Sequence, residues 1–295
     1  MYIVRSFSRL LFVVTLGAFV AFLFFHRSEV DSRGPVINIE EPLIEVSVED
    51  GDDRFLEGVT ASDSIDGDVT ESVAVENISN FYSNGKRLIT YVAFDSDNHV
   101  GRATRELRYT DYESPRFVLE KPLQYLPGSV NLMISAQDYL DGDISSAIKL
   151  VTNDPITPDQ PGEYKATFQV ANSAGDVSSL PVTIEIMKNE NEVVPVLNLD
   201  TYLEYIHQGD SFDPLDHLET IQISNKEYRV VEGQGNFGEE ISRDTERVIG
   251  TDMVEVTGSV DTDKPGIYKV KYTITVDKGN DEFISGHTVM YVVVR

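Results

Sequence analysis

The 295-residue chain contains no cysteine and no tryptophan. Without cysteine there is no disulfide, no thiolate ligand for a metal and no thiol nucleophile. Any folded domain must therefore hold by packing alone. Small secreted animal domains usually rely on disulfides, so this composition fits a bacterial surface better than an animal one. The lack of tryptophan removes the side chain that most often stacks on sugars, leaving tyrosine for that role. Basic residues are few: 24 Lys and Arg stand against 50 Asp and Glu, a net charge of −26. A body this acidic repels phosphate backbones, which argues against a nucleic-acid partner. The G-x-S-x-G nucleophile motif is absent. His26, His99, His207, His217 and His287 fall in no recognised ligand spacing.

One long uncharged run is present. Leu10–Phe25 reads LLFVVTLGAFVAFLFF. As a helix it spans roughly 24 Å, a little short of a ~30 Å hydrocarbon core. Arg9 and Arg27 can snorkel at its two ends. A cleaved signal peptide needs a small-x-small site, but Phe19 precedes Ala21 at that spacing and the run continues apolar. The reading preferred is an uncleaved signal anchor that meets the membrane through residues 10–25. Arg5 and Arg9 precede the run, and Glu29 and Asp31 follow soon after it. The positive-inside rule then puts the N-terminus in the cytoplasm and the C-terminal domains outside the cell.

The remainder repeats. Pro35–Ile39 (PVINI), Pro115–Leu119 (PRFVL) and Pro195–Leu199 (PVLNL) open three segments spaced 80 residues apart. A later block also recurs, starting at Gly85, Gly162 and Gly266. Within it Tyr164, Ala166, Phe168 and Val170 alternate with Lys165, Thr167 and Gln169. Likewise Tyr268, Val270, Tyr272 and Ile274 alternate with Lys269, Lys271 and Thr273. Alternation with period two is the mark of a half-buried strand. Turn residues separate these runs, and no helical periodicity follows residue 27. About seven short strands per unit predict Ig-like β-sandwiches. The expected organisation is 1–27 cytoplasmic tip and anchor, 28–34 linker, and all-β domains at 35–112, 113–190 and 191–295.

Two blocks carry a family resemblance. Ala61–Thr70 (ASDSIDGDVT) and Ala136–Ser145 (AQDYLDGDIS) share the pattern A-x-D-x-x-D-G-D-[VI]-[TS]. They resemble a bacterial Ig-like domain family named after an insecticidal crystal toxin. The Gly162 block, running into Asn172–Asp176, is similar to the same family. The resemblance covers residues 35–190. In the third repeat Gly209–Pro214 resembles the approach to a D-G-D block, but none follows. A polar stretch from Glu219 to Arg247 stands in its place. The resemblance implies tandem sandwiches in surface proteins of Gram-positive type, acting as spacers and adhesin-type modules rather than enzymes, with no ligand shared across the family.

Candidate sites follow from chemistry. Asp63, Asp66 and Asp68, with Asp138, Asp141 and Asp143, offer clustered carboxylates suited to calcium. The spacing is not that of an EF-hand, and a tight turn in which the aspartates cap backbone N–H groups is the preferred reading. The 219–247 stretch is a candidate binding loop, with Tyr228 and Phe237 as contact surface, or else an added hairpin. His207 and His217, among Asp210, Asp213 and Asp216, form a conceivable zinc site. The function expected is a non-catalytic surface stalk or adhesin-type protein with a protein or glycan ligand. A structural subunit of a membrane-bound surface assembly, and more remotely a sugar-active or metal-dependent enzyme, are the alternatives.

Overall fold

The computed structural model describes residues 2–25, 33–83, 85–152, 155–188, 194–224, 226–233, 248–279 and 282–295. Positions 28–32 of the expected linker, and 234–247 of the polar stretch with Phe237, lie outside them. The chain divides into two compact units, Met1–Asp111 and Tyr112–Arg295.

The first unit begins with helix α1 (Tyr2–Phe25). Its described side chains from Leu11 to Phe22 are exposed. The Thr15 hydroxyl donates back to the Leu11 carbonyl at 3.0 Å, so it is satisfied within the helix. Among the described residues no helix is long and apolar enough to cross a membrane, so the expected span is not shown. A short helix α2 (Asp52–Phe55) and seven strands follow: β1 (Val36–Ile39), β2 (Leu43–Val46), β3 (Val59–Asp63), β4 (Gly67–Asp68), β5 (Ala74–Ile78), β6 (Lys86–Phe94) and β7 (Val100–Tyr109). They make two sheets, ordered β1-β3-β4 and β2-β7-β6-β5.

The second unit repeats this plan twice. Its first sandwich has β8 (Arg116–Val118), β9 (Gln124–Tyr125), β10 (Ser135–Asp138), β11 (Gly142–Asp143), β12 (Lys149–Val151), β13 (Gly162–Ala171) and β14 (Val177–Ile186). The sheets are β11-β10-β8 and β12-β13-β14-β9. Its second sandwich has β15 (Val196–Leu199), β16 (Leu203–Ile206), β17 (Leu218–Ile223), β18 (Lys226–Val231), β19 (Val248–Gly250), β20 (Val254–Thr257), β21 (Gly266–Gly279) and β22 (Glu282–Val294). These sheets are β15-β17-β18-β19 and β16-β22-β21-β20. In all three sandwiches the two apolar runs after the opening proline go to different sheets. The second run always pairs in parallel with the last strand: β2 with β7, β9 with β14, β16 with β22.

Burial follows the alternation. Ala166, Phe168 and Val170 of β13 are buried, while Lys165, Thr167 and Gln169 face outward. One aromatic stands at the same offset from each block glycine: Tyr91, Phe168 and Tyr272, exposed by 0%, 1% and 0%. Burying each such ring contributes on the order of 2 kcal/mol. A buried phenol needs a partner, and each tyrosine has one. Tyr91 donates to the Phe55 carbonyl of α2 at 2.6 Å, and Tyr272 donates to the Pro214 carbonyl at 2.7 Å. Two glycines let the opening segment pass over the last strand. A Cβ at Gly101 would stand 1.9 Å from the Pro35 carbonyl oxygen, and one at Gly286 would stand 1.9 Å from that of Pro195.

The third repeat departs where its D-G-D block is missing. In the first two, the block forms the two-residue strands β4 and β11 against β3 and β10. In the third, β17 continues into a hairpin with the longer β18. The chain turns through Ser224, at φ +58°.

Candidate functional site

Four of the six aspartates, Asp63, Asp68, Asp138 and Asp143, act as acceptors within their own turns. Asp63 accepts from the amides of Ile65 (2.7 Å) and Asp66 (3.0 Å), and Asp68 from that of Thr70 (2.9 Å). Hydrogen bonds from Thr70 hold the Asp68 carboxyl below its ordinary range. The second copy repeats the pattern: Asp138 accepts from Leu140 and Asp141, and Asp143 from Ser145. Gly67 and Gly142 supply the turn, at φ +76° and +69°. The middle aspartates reach across to the turn before the last strand. Asp66 takes the Ser96 amide (2.7 Å) and hydroxyl (3.0 Å), and Asp141 takes the Ser173 amide (2.5 Å) and hydroxyl (2.7 Å). Each block is thus a stitch between two distant turns. Among the described residues, no three His, Asp or Glu side chains gather so as to hold a metal ion.

Other candidates are dispersed. His207 pairs with Asp210 at 3.6 Å, whereas His217 pairs with Asp200 at 3.0 Å and stacks on Phe212. The histidines therefore serve separate local contacts. Tyr228, expected at a binding surface, is 9% exposed. It belongs to the core because β18 lies inside its sheet, between β17 and β19, rather than in an open loop.

The second unit holds a feature the sequence reading did not single out. Strands β13 and β21 are equivalent in successive repeats, and each turns a polar row outward. Both rows reach one cleft of about 440 Å³ between the two sandwiches. Lys165 and Thr167 come from β13, Lys269 from β21, and Val151, Pro181 and Ile267 add aliphatic surface. Among the described residues Lys165 and Lys269 pair with no carboxylate. A narrower hollow beside the cleft is lined by Gln124, Glu163, Glu185, Lys271 and His287.

Two tyrosines tie these sandwiches together, and the first of them, Tyr291, lines the cleft. Tyr291 faces outward from β22, yet only 4% of it is exposed, because the neighbouring sandwich covers it. Its hydroxyl accepts the Thr183 amide proton at 2.7 Å. Burial raises its pKa, so it stays protonated near neutrality. Tyr205 accepts the Phe117 amide proton at 2.9 Å, and its ring carries the Arg116 and Arg295 guanidiniums at 5.4 and 4.7 Å. His287 Nε2 lies 2.8 Å from Glu185. That hydrogen bond is the chief reason the Glu185 carboxyl sits below its usual range. A signal for the cleft existed in the sequence. Lysine recurs at one position of the block, Lys165 and Lys269, where the first copy has Leu88. Nothing in one sequence shows that these two rows meet.

Comparison with known proteins agrees with the sandwich reading. Residues 221–286 match a family model described as bacterial surface protein, Ig-like domain. The match falls on the third repeat, where the D-G-D block is replaced. The chain is similar to pesticidal crystal protein Cry22Aa of Bacillus thuringiensis, 23% identical over 222 residues, covering 73% of this chain and 27% of that protein. It is also similar to an uncharacterized 81.3 kDa protein of Acholeplasma phage L2, 28% identical over 181 residues, covering 61% of this chain and 21% of that protein. The chain thus spans about a quarter of the length of these relatives. Among solved structures it is similar to CBM51-2 in complex with GlcNAc and INT domains of Clostridium perfringens ZmpB. The TM-score is 0.21 at 13% identity, covering 52% of this chain and 42% of that one. It is likewise similar to mouse clustered PcdhgC3 EC1-3, at TM-score 0.20 and 14% identity, covering 71% and 76%. At such scores neither likeness carries a ligand or a partner over to this chain.

Proposed function

We propose that this chain is a non-catalytic binding protein displayed at a bacterial cell surface and held to the membrane by residues 10–25. The observation that carries this reading is the match of residues 221–286 to a bacterial surface Ig-like model, on the last of three sandwiches of one plan. In this reading residues 35–112, 113–190 and 191–295 are the displayed domains, and 28–34 joins them to the anchor. Three further features support it. Leu10–Phe25 carries no charge, and the described side chains of α1 are apolar, exposed or internally satisfied. The aspartates that could have done chemistry are engaged in turn hydrogen bonds. The cleft in the second unit is wide and lined by lysines, threonines and aliphatic side chains, a surface suited to contact rather than to proton transfer.

Fractionation tests the reading. The full chain, carrying a C-terminal epitope, is expressed in a bacterium. It is expected to stay with the membranes through alkaline carbonate, and protease added to intact cells is expected to remove the epitope. Release by carbonate, or an epitope protected in intact cells, would overturn the proposal.

A further inference from the structure

We infer that the cleft of the second unit is a docking groove for an extended acidic peptide. The first ground is charge. In a chain of net charge −26, the wide part of this cleft carries two lysines and no acid. Neither Lys165 nor Lys269 is paired with a carboxylate among the described residues. An ammonium with no ion-pair partner among the described residues can attract one from outside, and complementary charge sets partner choice and encounter rate. The acids nearest the cleft, Glu163 and Glu185, lie in the adjoining hollow, which Lys269 and Lys271 also line, and among the described residues neither forms an ion pair with Lys269. Glu185 is already held by His287 and Gln124.

The second ground is the remaining surface. Val151 and Ile267 are 47% and 38% exposed, and with Pro181 they offer aliphatic contact. The Tyr268 hydroxyl is engaged by the Lys264 carbonyl at 2.8 Å. A glycan would need side-chain donors and acceptors for its hydroxyls, and the hydroxyls of Tyr268 and Tyr291 in the cleft wall are already engaged. A peptide of alternating acidic and aliphatic side chains would use both features. It would also find an open edge. Among the described residues strand β12, which carries Val151, ends its sheet and pairs only with β13. Its outer backbone groups can accept an added strand.

The inference deepens the binding role proposed above, and the two fail separately: fractionation reads display, and titration reads the groove. The full chain in detergent micelles is titrated against a fluorescent, end-blocked peptide of alternating Glu and Val, followed by polarisation. Saturable binding that weakens as salt rises is expected. Lys165→Glu and Lys269→Glu should each weaken it about fivefold, with the melting temperature unchanged. A Lys–Val peptide should bind the double variant more tightly than the wild type. If the double variant does not fold, Lys165→Gln and Lys269→Gln, made singly, provide the same reading. Absence of saturable binding, equal binding of both peptides to the wild type, or indifference to the lysine variants would overturn the proposal. So would lysine-dependent binding of polygalacturonate with none of the peptide.

Discussion

The Tyr291 hydroxyl accepts the Thr183 amide proton at 2.7 Å, joining the last strand of the third sandwich to the last strand of the second. Tyr291 sits at an outward position of β22, where strand alternation alone would leave it in solvent. Removing the hydroxyl leaves a strand N–H without an acceptor in a covered place. Tyr291→Phe is therefore expected to destabilise the second unit by about 1–3 kcal/mol. Thermal unfolding of the full chain checks this, with Tyr139→Phe, at an exposed site of the same unit, as a control expected to change little. Equal effects in the two variants would show that the Tyr291 bond contributes nothing.

Much of this fold is legible in the sequence, for a physical reason. The interior of a sandwich repeats with period two, so Tyr164 to Val170 and Tyr268 to Ile274 display their inward rows directly. The aromatic at a fixed offset from each block glycine is core in all three copies. What one sequence hides is the fate of the outward rows. Lys165 and Lys269 read as solvent-facing, and only the packing of two sandwiches turns them toward one cleft. Tyr228 misleads for the opposite reason. A polar neighbourhood with glycines suggested a loop, but β18 fills the place of the short D-G-D strand and so turns the ring into the core. The aspartate stitches were legible as turns from Gly67 and Gly142. Their cross-links to Ser96 and Ser173 were not, because those serines lie about thirty residues away along the chain.

Glycine at two of three equivalent positions makes a second prediction. Gly101, Ser178 and Gly286 pair with Ala93, Val170 and Ile274 at matching places in their hairpins. A Cβ at Gly286 would overlap the Pro195 carbonyl, a backbone atom that cannot rotate away. Gly286→Ala is expected to cost about 3 kcal/mol or more, whereas Ser178→Ala should stay within about 0.5 kcal/mol. Chemical denaturation of both variants makes the comparison.

The Glu185–His287 contact makes stability depend on acid. Folding depresses the Glu185 carboxyl below its ordinary 4.5, first through the His287 hydrogen bond, with Gln124 and Lys271 assisting. The unfolded chain therefore takes up the extra proton as pH falls. This contribution is whole above pH 4.5 and is lost as the pH drops below it. Glu185→Gln should lower the melting temperature at neutral pH, and its difference from the wild type should shrink steadily in acid. Melting curves across that range test it, and a constant difference would rule the contact out as the cause.

The D-G-D aspartates separate a stitch from an ion site. Both carboxylate oxygens of Asp141 already accept protons from Ser173, and one oxygen of Asp138 serves two amides. A calcium ion needs six to eight oxygens, so these hydrogen bonds would have to be given up in exchange. If the turns work as stitches, Asp141→Ala should cost about 1 kcal/mol, because the two exposed Ser173 donors exchange a carboxylate acceptor for water. Chelator or millimolar calcium should then leave the wild-type melting temperature unchanged, since a ligand that binds the folded state must raise it. A calcium-dependent rise that disappears in Asp141→Ala would identify an ion site instead. Asp141→Asn discriminates further: the amide keeps one acceptor oxygen for Ser173 but gives a poorer calcium ligand. A stitch should be largely rescued by it, and an ion site should not.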